Sequence, residues 1–383
     1  MKKFSLADHY VCLDEDTGQV RVLNQVAASM LSLALDGAGA ELIACSIVDQ
    51  FDVDIETAMI DSVQFLAALP SADSLIVKAT ESYLPDVGFT VSREIDAQER
   101  TCLYLPGVRI EVASELCGLC DLLNEMFTLE SSEGSCVRTV KLDVYSSGRN
   151  FPIVGEGETL DTGYTVADTA IKCLREISGL VARSHAGTIM FHASAVARGN
   201  DAILMPAHGG SGKTTLAAYL MHRGYAFLND DAVPMLAKTA ELLPVPVSLS
   251  VKAGSWPVLA NYFPQLSHLT RYGNEERQFR YLSPRDGQVQ KSPVSCRLLI
   301  VPEYCEAQKT VAVECLSKVS VFEGIIKSGC SVEQPVQPEI LESLVSWVNM
   351  VPCYKLTYSS LSQVEAVIDD LLLQSVSSWE WCG

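Results

Sequence analysis

The sequence lacks any run of about 18 apolar residues free of charge, so no membrane-spanning helix is expected. Its closest approach, residues 25–48, is broken by Asp36 and Glu41. The N-terminal stretch from Met1 meets Asp8 before any apolar run, which argues against a secretory signal and for a cytoplasmic chain. Basic charge is scarce. With 28 Lys and Arg against 47 Asp and Glu, the net charge of −19 excludes the basic footprint that nucleic acid requires. Paired cysteine spacing is also missing. The 13 cysteines are scattered singly, and Cys117 and Cys120 form the sole CxxC, with no second pair at zinc-ligand spacing. That pair falls in an amphipathic pattern over 115–127 and reads as two core positions of a helix. No internal repeat is present.

What is there describes a globular chain of 383 residues, 48% hydrophobic and 20% charged, long enough for two or three domains. Charge is uneven along it. Residues 1–75 hold three Lys and Arg against twelve Asp and Glu, whereas 251–297 hold seven against three. The second segment contains Lys252, Arg271, Arg277, Arg280, Arg285, Lys291 and Arg297, a candidate anion-binding stretch or a solvated loop.

Near the start, Val20 to Asn24 reads as a strand, followed by helical periodicity over 26–35, 41–50 and 55–69. A small hairpin with three helices is the outline of a winged-helix domain, and 70–74 reads as a linker. Residues 76–140 carry no assignable chemistry. Strand character is expected over 141–145 and helix over 165–181. Thr188 to Arg198 reads as one alternating strand, Gly199 to Asp201 as a hairpin turn, and Ala202 to Met205 as a buried strand. A glycine-rich segment follows, then a helix over 213–222 and a strand over 225–228 that ends at Asn229-Asp230-Asp231.

Ala207-His-Gly-Gly-Ser-Gly-Lys-Thr214 fits the phosphate-loop pattern GxxxxGK[ST] except at its first glycine. Its position between a buried strand and a helix is where such a loop belongs. Gly209, Gly210, Ser211 and Gly212 let backbone N–H groups turn toward phosphate, and Thr214 and Thr215 open the helix, whose N-terminus favours anions. Lys213 can bridge the terminal phosphates of ATP, and Thr214 can offer a hydroxyl to Mg²⁺. Asp230 and Asp231 end the next strand, where α/β sheets bind ligands, and two adjacent acids suit metal holding and proton abstraction.

The runs Phe191-His-Ala-Ser-Ala-Val-Ala197, Ala207 to Thr215 and Arg223 to Asp231 resemble the catalytic core of HPr kinase/phosphorylase. They are closer to the HPr-kinase-related kinases of bacterial peptide-modification clusters, such as lasso-peptide kinases. The resemblance covers roughly 141–373, including the tail segment Val351 to Tyr358. It implies an α/β fold of the HPr kinase/PEP carboxykinase type, with His192 and Lys213 in the catalytic centre, Asp230 acting on the acceptor hydroxyl and Asp231 with Thr214 on the metal. The Glu-x-Arg-Gly signature of HPr kinase is missing, which argues against HPr as substrate. Residues 5–69 resemble a PqqD-like domain, which binds leader peptides by strand addition. Together these imply two domains: 1–75, a peptide-recognition module, and 76–383, an ATP- and Mg²⁺-dependent kinase core. The expected acceptor is a serine on a ribosomally made peptide or small protein, with no nucleic acid or membrane as partner and homo-oligomerisation left open. A small-metabolite kinase and a nucleotide-binding scaffold without turnover are the rivals.

Overall fold

The computed structural model describes residues 1–15, 18–69, 75–76, 78–79, 94–105, 107–127, 138–273, 278–285, 287–332 and 335–377. The linker read at 70–74, and Arg277, Glu275, Glu276 and Asp286 of the basic stretch, lie outside the described residues. The chain is mixed α/β and divides into two compact units. One comprises Met1–Val77, Ser317–Lys327 and Pro335–Met350; the other comprises Lys78–Leu316, Ser328–Gln334 and Val351–Gly383. No helix among the described residues is long and apolar enough to cross a membrane.

In the first unit Lys2–Leu6, His9–Leu13 and Gln19–Asn24 form an antiparallel meander, and Leu75–Ile76 pairs with Gln19 and Val20. Three helices follow, Gln25–Leu35, Ala40–Gln50 and Ile55–Ala68. Asn24 and Asp54 cap the first and third, their side chains accepting the N–H groups of Ala27 and Thr57. The helices close on Met30, Ile43, Ala44, Ile47 and Ala58. Two elements of this unit carried no sequence expectation. Strand Lys2–Leu6 holds two lysines in five residues, too little alternation to read. Helix Pro338–Met350 buries Ile340, Leu341, Leu344, Val345, Trp347 and Val348. Its Asn349 side chain accepts from Ala7 N–H at 3.0 Å and donates to Ser5 C=O at 2.8 Å, which closes part of the first strand's outer edge.

In the second unit, Ala193–Arg198 pairs antiparallel with both Asp201–Pro206 and Ala226–Asp230. Asp201–Pro206 runs parallel to Val294–Tyr304, which runs parallel to Cys353–Tyr358. Helix Lys213–His222 lies against this sheet, burying Leu216 to Met221 among Val196, Ile203, Met205 and Ile300. A five-stranded sheet of Glu99–Leu105, Val108–Ser114, Arg138–Val144, Phe151–Gly155 and Glu158–Gly163 packs on helices Leu119–Met126 and Val166–Arg183.

Two local expectations are corrected. The strand read over Thr188 to Arg198 is two strands, Thr188–Phe191 and Ala193–Arg198, separated at His192, and they pair with different partners. Nearly every residue of both is buried, so burial does not alternate along them. The helix expected over 115–127 spans only Leu119–Met126 and begins within the CxxC, so Cys117 is exposed on the preceding turn and Cys120 alone enters the core. Both are free thiols, and burial raises the pKa of Cys120 to about 11.

Candidate active site

The phosphate-loop segment leaves strand Asp201–Pro206 and turns twice through left-handed glycines, Gly210 at φ 91° and Gly212 at φ 98°. Gly212 starts helix Lys213–His222 without any side-chain cap, so the first helical amides have no capping partner. A Cβ at Gly212 would also stand 3.3 Å from the Tyr358 hydroxyl, so both backbone and space demand glycine. Ala207 is outside the left-handed region, which explains why alanine suffices at the motif's first position. Gly210, Gly212, Lys213, Thr214 and Thr215 line a cavity of about 530 Å³, together with Lys252, Ser255 and three tyrosines. That volume suits a nucleotide-sized ligand.

Lys213 is only 5% exposed, and burial lowers its pKa against the opposing pull of Asp231 and Asp230. Its ammonium lies 3.1 Å from His192 Nε2, while His192 Nδ1 lies 3.3 Å from Asp231 Oδ1. A neutral ring with its proton on Nδ1 satisfies both partners, donating to the carboxylate and accepting from the lysine. Burial, the larger cause, and the charge of Lys213 hold the His192 pKa down, and the Asp231 carboxylate opposes them. His192 stands at the break between strands Thr188–Phe191 and Ala193–Arg198.

The two aspartates occupy different environments. Asp230 is 6% exposed, and burial first, then the Asp231 charge, raises its pKa to about 6. Its oxygens are enclosed: Ser194 donates to Oδ1, Thr214 donates at 3.1 Å to both, and the Ser250 N–H donates to Oδ2 at 3.3 Å. Asp231 has a side chain 73% exposed and takes φ 76°, a left-handed conformation uncommon outside glycine. Asn229 steadies the turn, accepting from Asp230 N–H and donating to Ala232 C=O.

The structure therefore brings Lys213, Thr214, His192, Asp230 and Asp231 together. Thr215 lines the cavity but stands apart from this cluster, its hydroxyl 2.6 Å from that of Ser255. Ser211 Oγ is buried without a protein partner. Among the described residues no three His, Cys, Asp or Glu side chains gather as a self-sufficient metal site. The Thr214 hydroxyl and Asp230 carboxylate are hard oxygen donors, and they fit Mg²⁺ sharing its remaining positions with phosphate oxygens and water. The basic stretch resolves into separate roles. Arg280 is buried with its guanidinium 4.1 Å from the Trp256 ring and donates to Leu266 C=O, and Arg297 pairs with Asp201 at 3.4 Å. Among the described residues of that stretch, Lys252 is the cation that lines the cavity. Ser194, Ser250, Ser255 and Tyr358 escaped sequence reasoning, because serine and tyrosine at these spacings carry no motif; Ser194 and Tyr358 stood inside quoted runs without a role.

The site is thus a glycine-rich loop, a buried lysine and two adjacent carboxylates gathered at the end of strands in an α/β sheet. No known protein family matches the sequence, and no curated protein matches it. Among solved structures the chain is similar to the HPr(Ser) kinase/phosphatase from Coxiella burnetii, at 12% identity and TM-score 0.25, covering 49% of this chain and 93% of that one. So distant a likeness carries no argument by itself, and the functional reading rests on the site.

Proposed function

We propose that this chain is a kinase that transfers the γ-phosphoryl group of Mg·ATP to a hydroxyl, serine foremost, on a ribosomally made peptide or small protein. The observation that carries this is the joined network Thr214–Asp230 and Lys213–His192–Asp231 at the mouth of the phosphate loop. Loop amides and Lys213 would hold the phosphate oxygens and stabilise charge as the bond to ADP breaks. When bound, Mg²⁺ would neutralise charge on the phosphates. Asp230 and Thr214 are the residues placed to hold it.

The expected division of labour between the aspartates is better exchanged. Asp230 is enclosed on both oxygens and bonded to Thr214, which suits the cation. Asp231 is exposed and oriented by His192, which suits acceptance of the hydroxyl proton as the acceptor oxygen attacks phosphorus. Proton, phosphoryl group and ADP are thereby all accounted for.

A peptide acceptor is supported by the first unit, where Lys3, Tyr10, Gln25, Ala28, Ser29, Gln50 and Phe51 line a cavity of about 390 Å³. Strand addition would use the third strand, because Arg21–Asn24 has no partner on its outer edge among the described residues, whereas Asn349 occupies part of the first strand's edge. The test is incubation of the full chain with Mg²⁺, γ-labelled ATP and serine-containing peptides, including any short peptide encoded beside its gene. Label recovered as phosphoserine supports the reading. Label passed only to small metabolites would replace peptide by metabolite, and ATP bound without any transfer would make the chain a scaffold.

A further inference from the structure

We propose that Lys252 is a second phosphate-binding cation of this site, placed across the phosphate loop from Lys213. The inference rests on the phosphate-loop reading and adds a residue that no sequence motif marks.

The segment Ser250 to Ser255 contacts the loop site at three points. Ser250 N–H donates to Asp230 Oδ2 at 3.3 Å, and Ser255 Oγ lies 2.6 Å from Thr215 Oγ1. Between these anchors, Lys252 projects its ammonium to within 3.9 Å of the point where a Gly209 Cβ would lie. Lys252 ends strand Leu249–Lys252, whose register against Gln278–Leu282 places it opposite Phe279. Strand pairing on one side and the Ser255 contact on the other therefore limit where its stem can go.

Among the described residues no carboxylate pairs with Lys252, although the protein carries 47 acids against 28 Lys and Arg. Two other cations of its segment, Arg280 and Arg297, are taken up by Trp256 and Asp201. An ammonium left unpaired in an acidic protein, within a cavity lined by phosphate-loop residues, matches an anion that arrives with the ligand. The two lysines also differ. Lys213 is buried and bonded to His192, whereas Lys252 is exposed, so Lys252 can meet incoming polyphosphate from the solvent side. Its charge acts on both Lys213 and His192, so all three groups share one field.

The test uses the full chain and equilibrium binding of ATP, AMP and inorganic tripolyphosphate, each with Mg²⁺, to wild type, Lys252→Gln and Lys213→Ala. Lys252→Gln is expected to weaken ATP and tripolyphosphate by roughly 10-fold or more while moving AMP by less than about 2-fold, because a charged hydrogen bond to the terminal phosphates is lost. Lys252→Met, which keeps the apolar stem, should behave like the glutamine variant. Equal weakening of AMP and ATP would overturn the proposal by making Lys252 a shaper of the cavity. Unchanged ATP affinity in both Lys252 variants, beside a loss in Lys213→Ala, would overturn it while leaving the phosphate-loop reading intact. Failure of wild type to bind ATP or tripolyphosphate would remove both.

Discussion

At the level of single residues, two adjacent carboxylates, Asp230 and Asp231, have opposite surroundings. Asp230 binds protons more tightly in the folded than in the unfolded chain, since its pKa rises to about 6. Stability from this group is therefore present below the unfolded pKa and is lost as pH rises through about 6. Without Mg²⁺, Asp230→Asn should melt above wild type near pH 8, with the difference about halved near pH 5 and closed only below about pH 4, as calorimetry would register. The same proton competes with the cation, so Mg²⁺-dependent ATP affinity should fall more steeply below about pH 6 in wild type than in Asp230→Asn, where the terminal phosphate of ATP still titrates but residue 230 does not. Asp231→Asn predicts a different outcome. Asparagine tolerates φ 76°, so melting should hold while turnover falls by a factor on the order of 10² to 10⁴ and ATP affinity stays. Metal-dependent ATP affinity lost in Asp231→Asn and kept in Asp230→Asn would instead assign the cation to Asp231 and the proton to Asp230.

At the scale of elements, two glycines bracket helix Lys213–His222 and provide a matched comparison. Gly212 at φ 98° faces the cavity and the Tyr358 hydroxyl, while Gly224 at φ 94° has nothing within 4 Å of the point a Cβ would occupy. Alanine at either should cost about 1–2 kcal/mol through the left-handed backbone, measured by denaturant unfolding. Only Gly212→Ala should also abolish ATP binding, because it displaces the amides that begin the helix. Comparable ATP affinity in the two variants would detach that helix start from nucleotide binding.

At the scale of the molecule, the division of the chain affects how the leader-binding idea can be tested. Helix Pro338–Met350 lies in the same unit as residues 1–77 and exchanges two hydrogen bonds with Ser5 and Ala7 through Asn349. Starting the chain at residue 76 would bare that helix, so substitutions in the Tyr10 and Phe51 cavity are the cleaner probe. Tyr10→Ala or Phe51→Ala should raise KM for a leader-bearing peptide while leaving kcat near wild type, since binding away from the reacting hydroxyl is what changes. An unchanged KM would remove that cavity from recognition.

The same scale explains what was legible in the sequence. The helix over 213–222 and the aspartates after Leu228 were readable because glycine, lysine and strand patterns are local. The distance from His192 to Asp231, the enclosure of Asp230 by Ser194 and Ser250, and the approach of Lys252 depend on strand pairing across dozens of residues, which no local pattern records. Helix Pro338–Met350 repeats Ile340, Leu341, Leu344, Val345 and Val348 at helical spacing, so its pattern was legible although no helix was expected there. Of the five-stranded sheet only the strand over 141–145 was expected; Val108–Ser114 alternates as clearly, but which strands it pairs with is set by contacts distant in sequence.

The loop from Gly209 to Thr215 is expected to hold Mg·ATP through Lys213, which titration calorimetry of the full chain decides. Wild type should bind one ATP with Mg²⁺ present, and Lys213→Ala should lose at least about 10-fold in affinity with its melting temperature held or raised, because a buried ammonium is removed. A folded Lys213→Ala variant that binds Mg·ATP as tightly as wild type would contradict the account.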